Sequence, residues 1–198
     1  MRYKTKILNS NLKIIDVNNK SEWCYIFCTS NAEATHNSNK FEWENISSDR
    51  RIVKSANKMI FIKDDTLCYY TNGISTEINS IKKLIIFLKK ETNKLKIKLV
   101  GNSAGGYLAM LLSCFLPNVE RAVSFGGIIN IYKWTGTNSD FTFDQVTRLT
   151  NLVKEKKETY FNLVPFINKY KPRIFHFYAS NCKSDLIELD CCKNITNL

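Results

Sequence analysis

Histidine is nearly missing from this 198-residue chain, which holds only His36 and His176. Glycine (7) and proline (3) are also scarce. The sequence therefore offers no proline- or glycine-rich linker and no low-complexity segment, and it carries no internal repeat. No apolar run approaches the roughly 20 residues of a membrane span. Residues Met1 to Lys6 lead into polar sequence rather than the hydrophobic centre of a signal peptide. The seven cysteines (Cys24, Cys28, Cys68, Cys114, Cys182, Cys191 and Cys192) form no CxxC pair, and their number is odd. Neither histidine falls at ligand spacing from them, which argues against a disulfide framework and against a metal site. Cys24, Cys28 and Cys114 sit in apolar runs and read as small buried hydrophobes. These absences predict one soluble, reduced, cytoplasmic domain spanning residues 1–198, with no cofactor and no metal.

Hydrophobic residues make up 44% and aromatic residues 12%, ordinary values for a globular chain. The charge is less ordinary: 29 basic against 18 acidic residues, formally +11. Such a balance attracts nucleic acid, anionic membranes or acidic glycans. The plainer reading is compositional bias, since the chain also carries 22 asparagines. Its lysines are scattered, without the aromatic-interleaved basic cluster that reads nucleic acid, so no nucleic-acid partner is expected.

One stretch organises the rest. Leu95 to Val100 alternates apolar residues and ends in an apolar pair, as a strand does. Ala104 to Phe115 is apolar at 104, 107, 108, 111, 112 and 115, which predicts a mostly buried helix. Between them stands G-x-S-x-G, as Gly101-Asn102-Ser103-Ala104-Gly105. A serine at the apex of so tight a strand–helix turn is held in strained backbone geometry with its hydroxyl projecting outward. The flanking glycines let strand and helix close on each other. The first helical N–H, at Ala104, points toward any oxyanion forming near Ser103. A phosphate-binding loop is the rival reading. A Walker loop would place Lys-Ser/Thr after its last glycine, where this chain has Tyr107, and Ser103 interrupts the dinucleotide pattern.

This stretch resembles the nucleophile elbow of α/β-hydrolase-fold serine enzymes. The segment Phe61 to Tyr70 resembles the strand and loop preceding the elbow unit in a loose bacterial group of that fold, and Val123-Ser124-Phe125-Gly126-Gly127 resembles the strand that follows it. Members of that group are linked with surface glycans and accessory secretion, and some look like glycan acyl-transfer enzymes. The resemblance implies a three-layer α/β sandwich around a mostly parallel sheet. It places the second oxyanion N–H in the loop after Trp23–Cys28, with Ser30 or Asn31 as candidates. It also sets the chain order serine, acid, histidine.

The remaining segments fit that frame. Residues 3–8 and 12–17 read as an edge hairpin, and Trp23–Cys28 as an interior strand. Phe41-Glu42-Trp43 is expected to anchor the intervening loop. Lys58–Ile62 is a further strand ending at Asp64-Asp65, a pair that serves acid–base chemistry or simply a turn. Ile74, Ile78, Ile81, Leu84, Ile85 and Leu88 predict a surface helix with lysines on its solvated face. Residues 128–143 either cover an active site or merely connect. Val146 to Leu163 reads as helical, Pro172 to Ser180 as a strand, and the stretch from Leu189 to Ile195 as amphipathic.

Asp185 stands where the resemblance puts the triad acid, with helix capping as its alternative role. No histidine follows it. His176 lies inside a strand and reads as a partly buried structural residue, whereas His36, in the loop bordering the oxyanion site, is the candidate base. The alternative expectation is a final strand, bearing the histidine, beyond Leu198. The reading is a serine hydrolase or acyltransferase of small-molecule esters or acylated glycans: Ser103 the nucleophile, Ala104 and Ser30 the oxyanion donors, Asp185 the orienting acid. A degenerate binding domain of the same fold is the rival.

Overall fold

The structure is a computed structural model. It describes residues 3–17, 20–31, 41–134, 143–155, 159–181 and 183–195, the side chains of 143–146 and 183–184 excepted. The strands are β1 (Tyr3–Asn9), β2 (Leu12–Val17), β3 (Trp23–Cys28), β4 (Lys58–Ile62), β5 (Lys96–Asn102), β6 (Val119–Phe125) and β7 (Ile174–Phe177). The helices are α1 (Arg50–Ser55), α2 (Ile81–Glu91), α3 (Ala104–Phe115), α4 (Phe143–Glu155), α5 (Val164–Tyr170) and α6 (Lys183–Cys192). One seven-stranded sheet runs in the order β1-β2-β4-β3-β5-β6-β7. The first two pairings, β1 with β2 and β2 with β4, are antiparallel, and every later pairing is parallel. The edge hairpin and the interior position of β3 are as the sequence predicts.

Alternation along the strands divides the core in two. Ile14, Cys24, Ile26, Ile60, Ile62, Ile97 and Leu99 point into a large cluster roofed by α2, α3, α4, α5 and α6. Ile15, Val17, Phe27, Met59 and Phe61 point the other way, under α1 and the short 3-10 turn Glu44–Ser48. Helix α3 is buried almost all round, as its apolar spacing implies.

Three spans differ from their sequence periodicity. The helix read from Ile74 begins at Ile81, because the Ser80 hydroxyl caps it at the Lys83 N–H. Ile74 and Ile78 instead close a turn, in which Ile74 N–H donates to the Ile78 carbonyl at 2.8 Å. The helix read over 146–163 ends at Glu155, and a 3-10 turn at Thr159–Phe161 leads into α5, begun by Pro165 in its first turn. The strand read over 172–180 is shorter, spanning Ile174–Phe177. Among the described residues no helix is long and apolar enough to cross a membrane.

Candidate active site

Strand β5 ends at Asn102 and α3 starts at Ala104, so Ser103 alone makes the turn. Its φ of 51° and ψ of −119° lie in a region that residues with a β-carbon adopt only under strain. Two backbone bonds hold it there. Ser103 N–H donates to the Phe125 carbonyl at 2.7 Å, and the Ser103 carbonyl accepts the Tyr107 N–H at 3.0 Å. A β-carbon at Gly101 would overlap the Gly105 carbonyl, and one at Gly105 would overlap the Cys28 carbonyl. Both glycines are thus required by close approach, one between strand and helix, the other between helix and β3. Ser103 remains half-buried and within reach of solvent.

The end of β3 lies beside this turn, with Cys28 opposite Gly101 in the parallel register. Beyond it, the Thr29 carbonyl accepts the buried Tyr70 hydroxyl at 2.5 Å. Tyr70 is positioned by Asp64, whose carboxylate accepts N–H bonds from Thr66, Cys68 and Tyr70 as well as the Thr66 hydroxyl. Burial pushes the Asp64 carboxyl above its ordinary range despite these four donors. Asp64 therefore organises a turn, and its neighbour Asp65 pairs with buried Lys63 at 3.1 Å.

Ser30, the candidate second oxyanion donor, is buried, and its N–H donates to Glu42 Oε2 at 2.7 Å. Glu42 Oε1 accepts the Asn102 side-chain amide at 2.9 Å. One carboxylate thus ties the loop after β3 to the residue preceding Ser103. It is set between two aromatic anchors: Phe41 packs on Phe61 with ring centroids 6.1 Å apart, and Trp43 on Phe125 at 6.3 Å. The expected anchoring by residues 41–43 is present, but nothing in the sequence marks Glu42 as a bridge.

Asp185 lies in the first turn of α6, and its Oδ2 accepts the Ala179 N–H at 2.6 Å. Its Oδ1 is 3.9 Å from the position a β-carbon on Gly126 would take. Gly126 directly follows Phe125, whose carbonyl holds Ser103, so the carboxylate sits at the C-terminal end of the sheet one strand over from Ser103. His36 lies outside the described residues. His176, on β7, faces Ser124 rather than Ser103, with Nδ1 3.2 Å from Ser124 Oγ. Among the described residues its buried Nε2 has no hydrogen-bond partner. Desolvation lowers the His176 pKa, opposed by the negative charge of Asp185. Among the described residues no three His, Cys, Asp or Glu side chains gather to hold a metal.

No family model and no curated protein sequence matches the chain. Solved structures do. A substrate-bound Staphylococcus aureus fluorophosphonate-binding serine hydrolase, FphF, is similar over 100% of this chain and 87% of its own, with a TM-score of 0.60 at 12% identity. Esterase B from Lactobacillus rhamnosis is similar over 98% of this chain and 70% of its own, with a TM-score of 0.63 at 12% identity. Carboxyl esterase 2 from the fungus Tuber melanosporum covers 98% and 71%, with a TM-score of 0.60 at 12% identity. The fold is α/β-hydrolase-like. In this α/β-hydrolase-like sheet, Ser103, Ser30, Gly126 and Asp185 all collect at the C-terminal ends of the parallel strands, where open α/β sheets place their ligands.

A second carboxylate also escaped the sequence reading. Glu188 of α6 is 2% exposed and accepts the Ile129 N–H at 2.6 Å and the Trp134 indole N–H. It pins the segment after β6 to α6, so Trp134 is a buried packing residue. Burial raises the Glu188 pKa to about 7, against the pull of both donors.

Proposed function

We propose that this chain is a serine-dependent acyl hydrolase of the esterase type. The observation that carries the reading is the backbone of Ser103: a non-glycine residue with φ of 51° at a strand–helix turn that only glycines at 101 and 105 can close. Strain of this kind persists where the surroundings enforce it, and it is a hallmark of a nucleophile elbow. In this reading Ser103 Oγ attacks an ester carbonyl, a base takes its proton, and an acyl-enzyme forms as the alcohol departs. The Ala104 N–H at the start of α3 stabilises the tetrahedral oxyanion, with the Ser30 N–H as the second donor. Asp185 orients the imidazole base, for which His36 is the candidate within this chain. Water then releases the acid. The finer reading, transfer of the acyl group to a sugar hydroxyl of a surface glycan, is supported by the sequence resemblance of residues 61–70 and 123–127.

Non-catalytic binding is the second reading, favoured by one observation: His176 is turned to Ser124 and leaves Ser103 without its imidazole. A fluorophosphonate probe separates the two, applied to the native chain, Ser103→Ala and His36→Ala. The proposal expects covalent labelling of the native chain that is abolished in Ser103→Ala. Loss in His36→Ala as well makes His36 the base. A folded native chain that takes up no label contradicts the hydrolase reading.

A further inference from the structure

The Ser30 N–H carries one hydrogen, and the carboxylate of Glu42 already takes it at 2.7 Å. A bond to a charged acceptor is roughly twice as strong as a neutral one, so a substrate carbonyl does not displace it readily. With the Ser30 N–H as the proposed second oxyanion donor, that carboxylate sets a negative charge beside the one that would develop during attack on Ser103. Its position is built rather than incidental. Asn102 holds the other oxygen at 2.9 Å, and the neighbouring Phe41 and Trp43 pack on Phe61 and Phe125.

We propose that Glu42 gates the oxyanion hole: with its carboxylate on the Ser30 N–H the site is closed, and acylation of Ser103 requires that carboxylate to withdraw. The inference rests on the reading of Ser103 as nucleophile and of the Ser30 N–H as its second oxyanion donor. Glu42 acts through Ser30 and is a positioning residue, not one that touches substrate. Asn102 can turn its amide to match a glutamine at 42, so Glu42→Gln removes the charge while keeping the bridge. Glu42→Ala removes the bridge and with it the carboxylate's hold on the Ser30 N–H.

The test measures the rate of fluorophosphonate labelling of the full chain, native and as Glu42→Gln, Glu42→Ala and Ser103→Ala, with the melting temperature of each. Losing one oxyanion donor costs about 100- to 1000-fold in such sites. Glu42→Gln leaves the Ser30 N–H bridged by a weaker, neutral bond and so is expected to speed labelling severalfold, whereas Glu42→Ala, which removes the bond, is expected to speed it at least about tenfold. Labelling of Glu42→Gln at the native rate or slower, with melting unchanged, overturns the gate while leaving the nucleophile reading intact. So does a slow Glu42→Ala beside an unaltered Glu42→Gln, which marks a merely structural bridge. If Glu42→Ala does not fold, Glu42→Gln decides alone. If no folded variant is labelled, the nucleophile reading falls and the gate falls with it.

Discussion

At residue scale the site is a problem of steric permission. Ser103 occupies a conformation costing about 1–3 kcal/mol for any residue bearing a β-carbon. Alanine keeps that carbon and so keeps the strain. Glycine relieves it, less the roughly 0.5–1 kcal/mol of extra chain entropy lost on folding. Ser103→Gly is therefore expected to be more stable than Ser103→Ala by about 1 kcal/mol in urea denaturation. A Ser103→Gly protein less stable than Ser103→Ala by roughly 0.5–1 kcal/mol would mean that the turn is not strained. Gly101→Ala goes the opposite way, since its β-carbon meets the backbone of Gly105 rather than a side chain that can swing aside. A loss of at least about 3 kcal/mol is expected there, or failure to fold. The requirements at 101, 103 and 105 were legible because residue type and spacing encode them directly. Glu42 was not legible, because its partners, Ser30 and Asn102, are 12 and 60 residues away and are brought to it only by the register of β3 on β5.

Among the elements, α6 shows why pattern alone misplaces a side chain. Leu186 is 45% exposed on this helix while Glu188, two residues on, is buried against Ile129 and Trp134. An apolar-in, polar-out rule reverses both. The helix begun at Ile81 rather than Ile74 fails the periodicity for a related reason: the Ser80 cap and the turn closed on the Ile78 carbonyl outweigh two well-spaced isoleucines. By contrast β3 and α3, continuous in their apolar character, were legible as buried elements. Burying Glu188 has a measurable consequence. Its folded pKa, about 7, lies above the ordinary 4.5, so the folded protein holds a proton that the unfolded chain releases between those values. The Glu188 contribution to stability is present in full below pH 4.5, falls as pH rises to about 7, and is flat above. The drop is on the order of 3 kcal/mol at most. It is read as the difference in unfolding free energy between the native chain and Glu188→Gln from pH 4.5 to 8. Glutamine accepts only one of the two donors, so the variant is weaker at low pH, and the difference narrows as pH rises. His176, whose lowered pKa works in the opposite direction below pH 6.5, is common to both proteins and cancels. Parallel curves would place the Glu188 carboxyl in its ordinary range.

For the whole molecule, strand–helix alternation made a parallel α/β class readable, but not the strand order. The crossing of β3 and β4 is fixed by contacts between strands about 30 residues apart, such as Tyr25 opposite Met59. That order decides which backbone is guarded. Strand β5 is paired on both sides, with β3 and β6, and packed under α3. Among the described residues strand β1 pairs only with β2, and its side chains from Tyr3 to Leu8 are all exposed. Strand β7 has a single described partner, β6, with Phe175 and Phe177 exposed. Local opening follows this gradient, because an edge strand with little buried apolar surface detaches without breaching the core. Native-state hydrogen exchange should find the amides of β3 and β5 opening only with global unfolding, which for a domain of this kind requires about 5–15 kcal/mol. Bonded amides of β1 should exchange through openings several kcal/mol smaller, and those of β7 should fall between, because Ile174 packs on the larger core. The order matters for the site, since Ser103, Ser30 and Gly126 hang on β5, β3 and β6, while Asp185 reaches them from beyond β7. Rapid exchange in β5 with slow exchange in β1 would refute this picture. The expected order would mean that Ser103 sits on the last part of the sheet to open and Asp185 on a more yielding edge.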